Sequence, residues 1–581
     1  MTETQQSKNW WVFPHIPPES EEALSGYVPF MRQILYNRKI VDADTAAQYL
    51  DGMALDEDPF DLLDMDVAVD RLLHAADHHE SVAVYGDYDV DGVTATALMV
   101  EALSRLGIEA HRYIPNRFEE GYGLNMDAVQ LLADSGVTLI VTVDCGIRSP
   151  REAEFARSLG VDMIISDHHM PKHELPDSLA VICPKREGDP YICKDLSGVG
   201  LAYKIAQALL IKRPVNGVSV DDWLDLVALG TVSDIVPLTG ENRSLVKRGL
   251  KRIHLGRRMG LASLLRVARR DPAQVTSGDI GFILGPRLNA AGRMDSALQA
   301  YQLLVSSDML EVGTIAQKLD NQNSERQDLT KELQAWVADR MGSIDGRFLI
   351  SDFSLADFDY SAYSTKSGSG IMGLVASKLV ESYYRPAVIG TIEEGVIKAS
   401  CRSIPEFHIT RALDECSDLL VRHGGHSMAA GFTVAIENRD ALVERLHQIA
   451  QRELAAVDLR HTLKADMELP IEGLPRDAIT LLKQLEPTGM ENPEARFISR
   501  NVDVQDPRRI GKDQNHLKFK VRFQGGAIDA VAWRQAAWLD LMPGKFDLFY
   551  SIEENNYNNR STMQLNVRDI KPSEPSPDTA L

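Results

Sequence analysis

The sequence predicts an α/β protein: a parallel-sheet domain, a second and smaller α/β domain joined to it by a long helix, and a C-terminal β-barrel. Three observations carry that prediction. Between Ser81 and His169, short apolar strands alternate with short helices, as in βαβ units of a parallel sheet. The stretch EVGTIAQKLDNQNSERQDLTKELQAWVADRM is long, charged and helical, as a connector or brace would be. Residues 465–570 then break into five short strands with turn signals. A length of 581 residues fits about three to five domains.

In chain order, residues 1–75 read as one acidic helical region, with Pro14, Pro17 and Pro18 interrupting its start. Residues 76–305 hold the parallel sheet. VAVYGDYDVDG is an apolar strand running into a polar loop, and TATALMVEALSRLG is a helix stopped at Gly107. HRYIPN, VTLIVTVDCGI and VDMIISDHH are further strands, with MDAVQLLADSG and REAEFARSLG as the helices between them. Residues 197–340 are mainly helical, with the connector at 306–342. Residues 343–450 return to an α/β pattern in FLISDF, GIMGLVASKLVESYY, AVIGTIEEGVIKASCRS and MAAGFTVAI. Residues 451–570 carry the five strands, which suit a small barrel of the OB type. The Pro/Ser-rich segment 571–581 is expected to be a disordered tail.

Hydrophobic content of 44% and charged content of 25% exclude general disorder. No run of about 18 apolar residues is present, so no membrane contact is expected. The start, MTETQQSKNWWVF, lacks a signal-peptide layout. Five cysteines without CxxC spacing argue against structural zinc and against a disulfide framework, and point to a reducing cytoplasm. The net charge of −22 looks awkward for a nucleic-acid binder, which needs Lys and Arg for phosphates. The charge is uneven, however: residues 1–100 hold 19 acidic against 5 basic residues, and residues 501–569 hold 9 against 10.

Acids and imidazoles gather at the ends of the apolar runs. Asp87, Asp89 and Asp91 alternate in one loop, Asp144 closes the next strand, Asp167-His168-His169 closes another, and Asp234 follows a fourth apolar run. Open α/β sheets bind ligands beyond the carboxyl ends of their strands, so these clusters should converge. Carboxylates mixed with imidazoles suit Mn²⁺ and related ions, whereas carboxylates alone suit Mg²⁺. Such a set can hold two ions ~3.5–4 Å apart, an arrangement that serves in-line displacement at phosphorus. The plain alternative for any one Asp is a helix cap or a turn former. An EF-hand is excluded, because the position of its bidentate Glu falls on Leu98. Adjacent His168 and His169 resist a core reading, since neighbouring strand residues face opposite ways.

VYGDYDVDG, VDCGI, SDHH and GTVSDIVPL, in this order, resemble the four motifs of the DHH phosphoesterase superfamily. IPNRFEEGYG, LSGVGLAYK, GPRLNAAGRM and GGHSMAAGF are similar to its RecJ branch of single-strand-specific 5′→3′ DNA exonucleases. The resemblance covers roughly residues 60–570. It implies a DHH domain, a DHH-associated domain, an OB-like barrel, and Mn²⁺ or Mg²⁺ as cofactor, with two ions. It makes Asp89, Asp91, Asp144, His168, His169 and Asp234 metal ligands, with Asp144 bridging and Asp144, His168 and His169 catalytic. Asp167 would orient the imidazoles from behind. The upstream ligand position falls on Tyr85, a poor ligand, so Asp87 is a candidate substitute and the division of labour among Asp87, Asp89 and Asp91 stays open.

The same resemblance turns several polar residues into candidate DNA or phosphate contacts. These are Arg117, then Arg287, Asn289 and Arg293 in GPRLNAAGRM (read as a turn of small residues), and Ser400 and Arg402 on one strand face with His426 beside Gly424-Gly425. In the barrel, Arg508, Arg509, Lys512, Lys518, Lys520 and Arg522 interleave with Phe519, Phe523, Trp533 and Tyr557, a pattern that suits single strands. The implied activity is hydrolysis of single-stranded DNA to mononucleotides in repair and recombination. The implied partners are single-stranded DNA, single-strand-binding protein and a helicase, with the chain itself a monomer. Two other readings compete: a small-substrate hydrolase acting on pyrophosphate or short oligonucleotides, and a non-catalytic replication scaffold, which would lack the metal ligands.

Overall fold

The structure is a computed structural model describing residues 8–52, 57–117, 120–121, 123–172, 174–343, 348–365, 368–393, 395–557 and 560–573. Most of the tail and the side chain of Tyr557 lie outside the described residues. The chain divides into two compact units, residues 54–459 and residues 1–53 with 460–581.

The larger unit begins with a five-stranded, all-parallel sheet. Its spatial order is His111–Tyr113, Val82–Tyr85, Leu139–Val143, Asp162–Ser166, Ala180–Ile182. Val82–Tyr85 and Leu139–Val143 are buried throughout, as β-branched runs covered on both faces should be. The chain order reverses between these two strands. The crevice beyond their carboxyl ends is therefore the expected ligand position, and it is where Asp87–Asp91 and Asp144 follow.

Helices Val90–Arg105, Gly198–Lys212 and Leu224–Ser233 bury long apolar faces beside the sheet in one continuous core. GPRLNAAGRM is not a turn. Gly285–Met294 is a helix with Pro286 in its first turn, continuing a π-turn over Ile280–Leu284. Leu288, Ala290 and Ala291 are buried, so its small residues serve close helix packing. Asp234 likewise ends a helix, Leu224–Ser233, and not a strand. The connector is a helix over Met309–Met341, 33 residues and so ~50 Å long. It leads to a second five-stranded sheet in the order Leu420–His426, Ala429–Ala435, Val396–Arg402, Ala387–Glu393, Ile350–Asp352, antiparallel except for the last pair.

In the smaller unit, strands Arg496–Ile510, His516–Phe523, Gly526–Ala532, Arg560–Pro572 and Gly544–Tyr557 close into a barrel, because the first also pairs with the last. Residues 1–75, read as one region, are split between the units. Phe30, Met31, Ile34 and Leu35 of helix Pro29–Asn37 pack into the barrel core, and Phe30 stacks on Phe497 at 5.4 Å between centroids. Asn9–Val12, read as part of a helical region, is a strand parallel to Thr462–Ala465. Helix Met65–His78 belongs to the core of the other unit. Among the described residues, no helix is long and apolar enough to cross a membrane.

Candidate metal centre

Each ligand candidate is placed by a local backbone device. Asp89 caps helix Val90–Arg105, one oxygen accepting from Asp91 N (3.0 Å) and Gly92 N (3.2 Å). Asp91, in the first turn, accepts from Gly198 N (2.6 Å) and Val199 N (2.9 Å) at the start of the next helix. Asp144 ends its strand at φ 64°, a left-handed conformation that costs a non-glycine residue strain and is over-represented at functional sites. Gly198 makes room for it: a Cβ there would lie 2.5 Å from Asp144 Cβ. Asp167 accepts from Ile147 N (2.9 Å) through one oxygen, and through the other from His169 N (3.0 Å) and His169 Nδ1 (2.7 Å). That contact fixes the His169 proton on Nδ1 and makes Nε2 the lone-pair nitrogen.

These side chains meet in three overlapping triplets: Asp87–Asp89–Asp144, Asp144–His168–His169 and Asp91–His168–Asp234, the ligand atoms of each lying within 4.8 Å of one another. His168 Nε2 stands 3.1 Å from Asp144 Oδ1, 3.5 Å from Asp234 Oδ2 and 3.9 Å from Asp91 Oδ2. Tyr85 is elsewhere: its hydroxyl donates to Gly123 O (3.1 Å) and its ring stacks on Tyr113. Asp87 sits with the other acids in its stead.

The donor set fits a cation. Asp87 Oδ1, Asp144 Oδ1 and both ring nitrogens of His168 are buried without a hydrogen-bond partner among the described residues, an expensive condition unless something else satisfies them. Burial, reinforced by neighbouring carboxylates, drives Asp87 and Asp144 well above the usual range, Asp91 to about 7 and Asp234 to about 9. Burial holds His168 at about 3, hence neutral. For His169 burial acts downward, but the hydrogen bond and charge of Asp167 outweigh it.

Beside the acids lies a group of guanidiniums. Arg293 is half-buried near Arg117, Arg326 and Arg402, and desolvation with those like charges pushes it down to about 9. Arg117 packs over the Tyr88 ring at 5.1 Å, and Arg293 Nη1 donates to Gly370 O (3.3 Å). A Cβ at Gly373 would lie 2.8 Å from Arg402 Nη2, so glycine there gives that side chain its place. Burial and the charges of Arg148, His169 and Lys185 lower His426, which puts this imidazole of the second sheet within electrostatic reach of His169.

Two candidates are engaged within the fold. Arg287 is paired with Asp320 at 2.9 Å, and Asn289 Oδ1 accepts from Val90 N (3.2 Å), tying two helices together. Ser400 is half-buried on the strand that ends at Arg402. In the barrel, Leu517, Phe519 and Val521 are core while Lys520 and Arg522 are exposed, so one face is basic. Arg508 stands opposite Lys518 in the register. Lys518 pairs with Asp529 (2.9 Å) and Lys520 with Asp506 (3.5 Å). Trp533 is exposed. Sequence reasoning missed Arg326, whose setting in a long charged helix reads as solvated surface. It also missed Arg148, Lys185 and Tyr88, although Tyr88 lies inside the first motif.

Three family models match the chain: the DHH family N-terminal domain over residues 81–231, the DHHA1 domain over 360–452, and the RecJ OB domain over 465–569. The single-stranded-DNA-specific exonuclease RecJ of Bacillus subtilis (strain 168) is 36% identical over 551 residues, 94% of this chain and 68% of that protein. That of Escherichia coli (strain K12) is 32% identical over 565 residues, 94% and 96% of the two chains. The crystal structure of RecJ in complex with Mn²⁺ from Thermus thermophilus superposes with a TM-score of 0.82 at 28% identity, covering 98% of this chain and 81% of that one. Fold and site thus define a DHH-domain protein carrying its DHHA1 companion. The chain belongs to the RecJ family of single-stranded-DNA-specific exonucleases.

Proposed function

We propose that this chain hydrolyses single-stranded DNA from the 5′ end, releasing mononucleotides. The observation that carries the reading is the set of orphaned, buried ligand atoms on Asp87, Asp144 and His168, with Arg117, Arg293, Arg326 and Arg402 gathered nearby. Asp87, Asp89, Asp91, Asp144, His168, His169 and Asp234 would hold two Mn²⁺ or Mg²⁺ ions, with Asp144 common to both. When bound, the ions supply Lewis acidity and lower the pKa of water.

The protein's own groups do the positioning. Asp167 keeps His169 in one tautomer and orientation. Arg117, Arg293, Ser400, Arg402 and His426 hold phosphate, and the guanidiniums offset the charge that develops on its oxygens. Residues 76–305 are assigned the chemistry, 343–450 the grip on phosphate, and 451–570 the hold on the strand through Arg508, Lys518 and Lys520. The family supports a cytoplasmic monomer in repair and recombination, working with single-strand-binding protein and a helicase.

A strand labelled at either end tests this. Nucleotide release from the 5′ label, dependent on Mn²⁺ or Mg²⁺ and absent on duplex and pyrophosphate, is the expected result. Digestion from the 3′ end, or hydrolysis of pyrophosphate alone, overturns it.

A further inference from the structure

Charge is distributed in a way the hydrolytic site does not explain. Residues 240–275 hold ten Lys and Arg against only Glu241 and Asp271, in a chain of net charge −22. They span two consecutive helices, Gly240–His254 and Met259–Val267, and the chain beyond them returns to the end of the first, where His254 Nε2 meets Val275 O at 2.8 Å. Some of the basic residues have internal work. Arg258 joins Glu101 and Asp225 (both 2.8 Å), Arg252 joins Asp222 (2.7 Å), Arg248 joins Asp221, and Arg270 joins Asp279 (3.3 Å).

Lys251, Arg257, Arg266 and Arg269 are exposed and make no ion pair among the described residues. Helix dipoles account for part of this, since Lys251 and Arg266 lie in the last turns of the two helices. Each helix end carries only about half a unit of negative charge, and Arg257 and Arg269 lie outside both helices. A surplus of positive charge is left facing solvent.

The turn between the two helices stands away from the acids. Asp225, bound to Arg258, and Asp234 stand at opposite ends of helix Leu224–Ser233, ~13 Å apart by helical rise. The segment also lacks the means to hold unpaired bases: residues 240–275 contain no Phe, Tyr or Trp, whereas single-strand surfaces stack bases on aromatic rings. A surface of charge alone favours the densest polyanion, and duplex DNA carries about one charge per 1.7 Å of axis.

We infer that Lys251, Arg257, Arg266 and Arg269, exposed on the segment of these two helices, are a second contact surface, which takes the phosphate backbone of double-stranded DNA outside the hydrolytic site. It goes beyond the exonuclease reading: it needs DNA as the ligand but no cleavage. Such a surface would hold the duplex part of a substrate that carries a single-stranded end.

The test is binding of the full chain to a blunt duplex without divalent ion, followed over a range of salt. The comparison is a variant carrying Lys251→Gln, Arg257→Gln, Arg266→Gln and Arg269→Gln. All four side chains are exposed, and a circular-dichroism melt matching the wild type confirms an intact fold. The slope of log affinity against log salt should fall in magnitude by about 3–4, and affinity near 0.1 M salt by more than about tenfold. Hydrolysis of a short single strand should stay within about twofold of wild type. An unchanged slope, or no salt-dependent duplex binding by the wild type, overturns the inference. So does a variant that loses binding to a polyglutamate peptide but keeps the duplex, which would assign the surface to an acidic protein. Loss of hydrolysis in the wild type with duplex binding intact would instead refute the exonuclease reading and leave the surface standing.

Discussion

Asp167 uses both carboxylate oxygens on Ile147 and His169, so its part is to aim an imidazole. Asp167→Asn should weaken Mn²⁺ binding by about 10–100-fold while the fold persists, as calorimetric titration would show. His169→Ala should abolish nucleotide release from a folded protein, and retained activity would remove His169 from the site. By contrast, Arg287→Ala breaks the pair with Asp320 and a hydrogen bond to Ile283 O (2.8 Å), so it should cost about 1 kcal/mol in a denaturant melt and leave hydrolysis nearly intact. A pH dependence follows from the raised carboxylates. Above the ordinary value of 3.8 an unfolded Asp ionises while folded Asp91 and Asp234 keep their protons, so the metal-free fold loses stability until pH passes about 7 and 9. Cation binding must expel those protons. The rise in Tm on adding Mn²⁺ should therefore be larger at pH 8 than at pH 6, and an equal rise at both would contradict the ligand assignment. The candidate ligands were legible in sequence because acids and His at the ends of apolar runs are conspicuous. The parts of Arg287 and Asn289 were not, since Asp320 and Val90 become their neighbours only through tertiary packing.

At the scale of the element, the centre depends on glycines that let backbones approach. The helix Gly198–Lys212 starts against Asp144, and its first two amides bind Asp91. Gly198→Ala would bring a Cβ to 2.5 Å from Asp144 Cβ and must displace that carboxylate or the helix. The expected outcome is a loss of Mn²⁺ affinity out of proportion to any fall in Tm. Unchanged affinity would show that Asp144 is not held by this contact. The parallel sheet was readable from alternating apolar strands and helices. GPRLNAAGRM was misread because Gly, Pro and Asn suggest a turn, while the buried faces of Leu288, Ala290 and Ala291 favour a helix. Tertiary burial overrode local propensity there.

At the scale of the whole molecule, the first 53 residues and the barrel form one compact unit. Removing residues 465–581 alone would strip Phe30, Met31, Ile34 and Leu35 of the core they share with Phe497 and Tyr550. That truncation should aggregate, while a chain of residues 57–459 should remain folded. The shorter chain should hydrolyse a short oligonucleotide but bind long single strands more weakly; equal affinity would reject a strand-holding part for the barrel. Sequence could not reveal that the N-terminal strand pairs with Thr462–Ala465, because the partner lies about 450 residues away. The charge of −22 takes on a different meaning as well, since cations gather around the buried acids and on the 240–275 segment while the acidic excess lies elsewhere.

In the proposed function, the cluster around Asp144 and His168 performs metal-dependent hydrolysis of single strands. The most direct measurement is Mn²⁺-dependent release of nucleotides from a 5′-labelled single strand by wild type and by Asp144→Asn, with bound Mn²⁺ counted in each. The expected result is release by the wild type with two ions bound, and neither release nor full metal occupancy in the variant. Release by Asp144→Asn at the wild-type rate would contradict it.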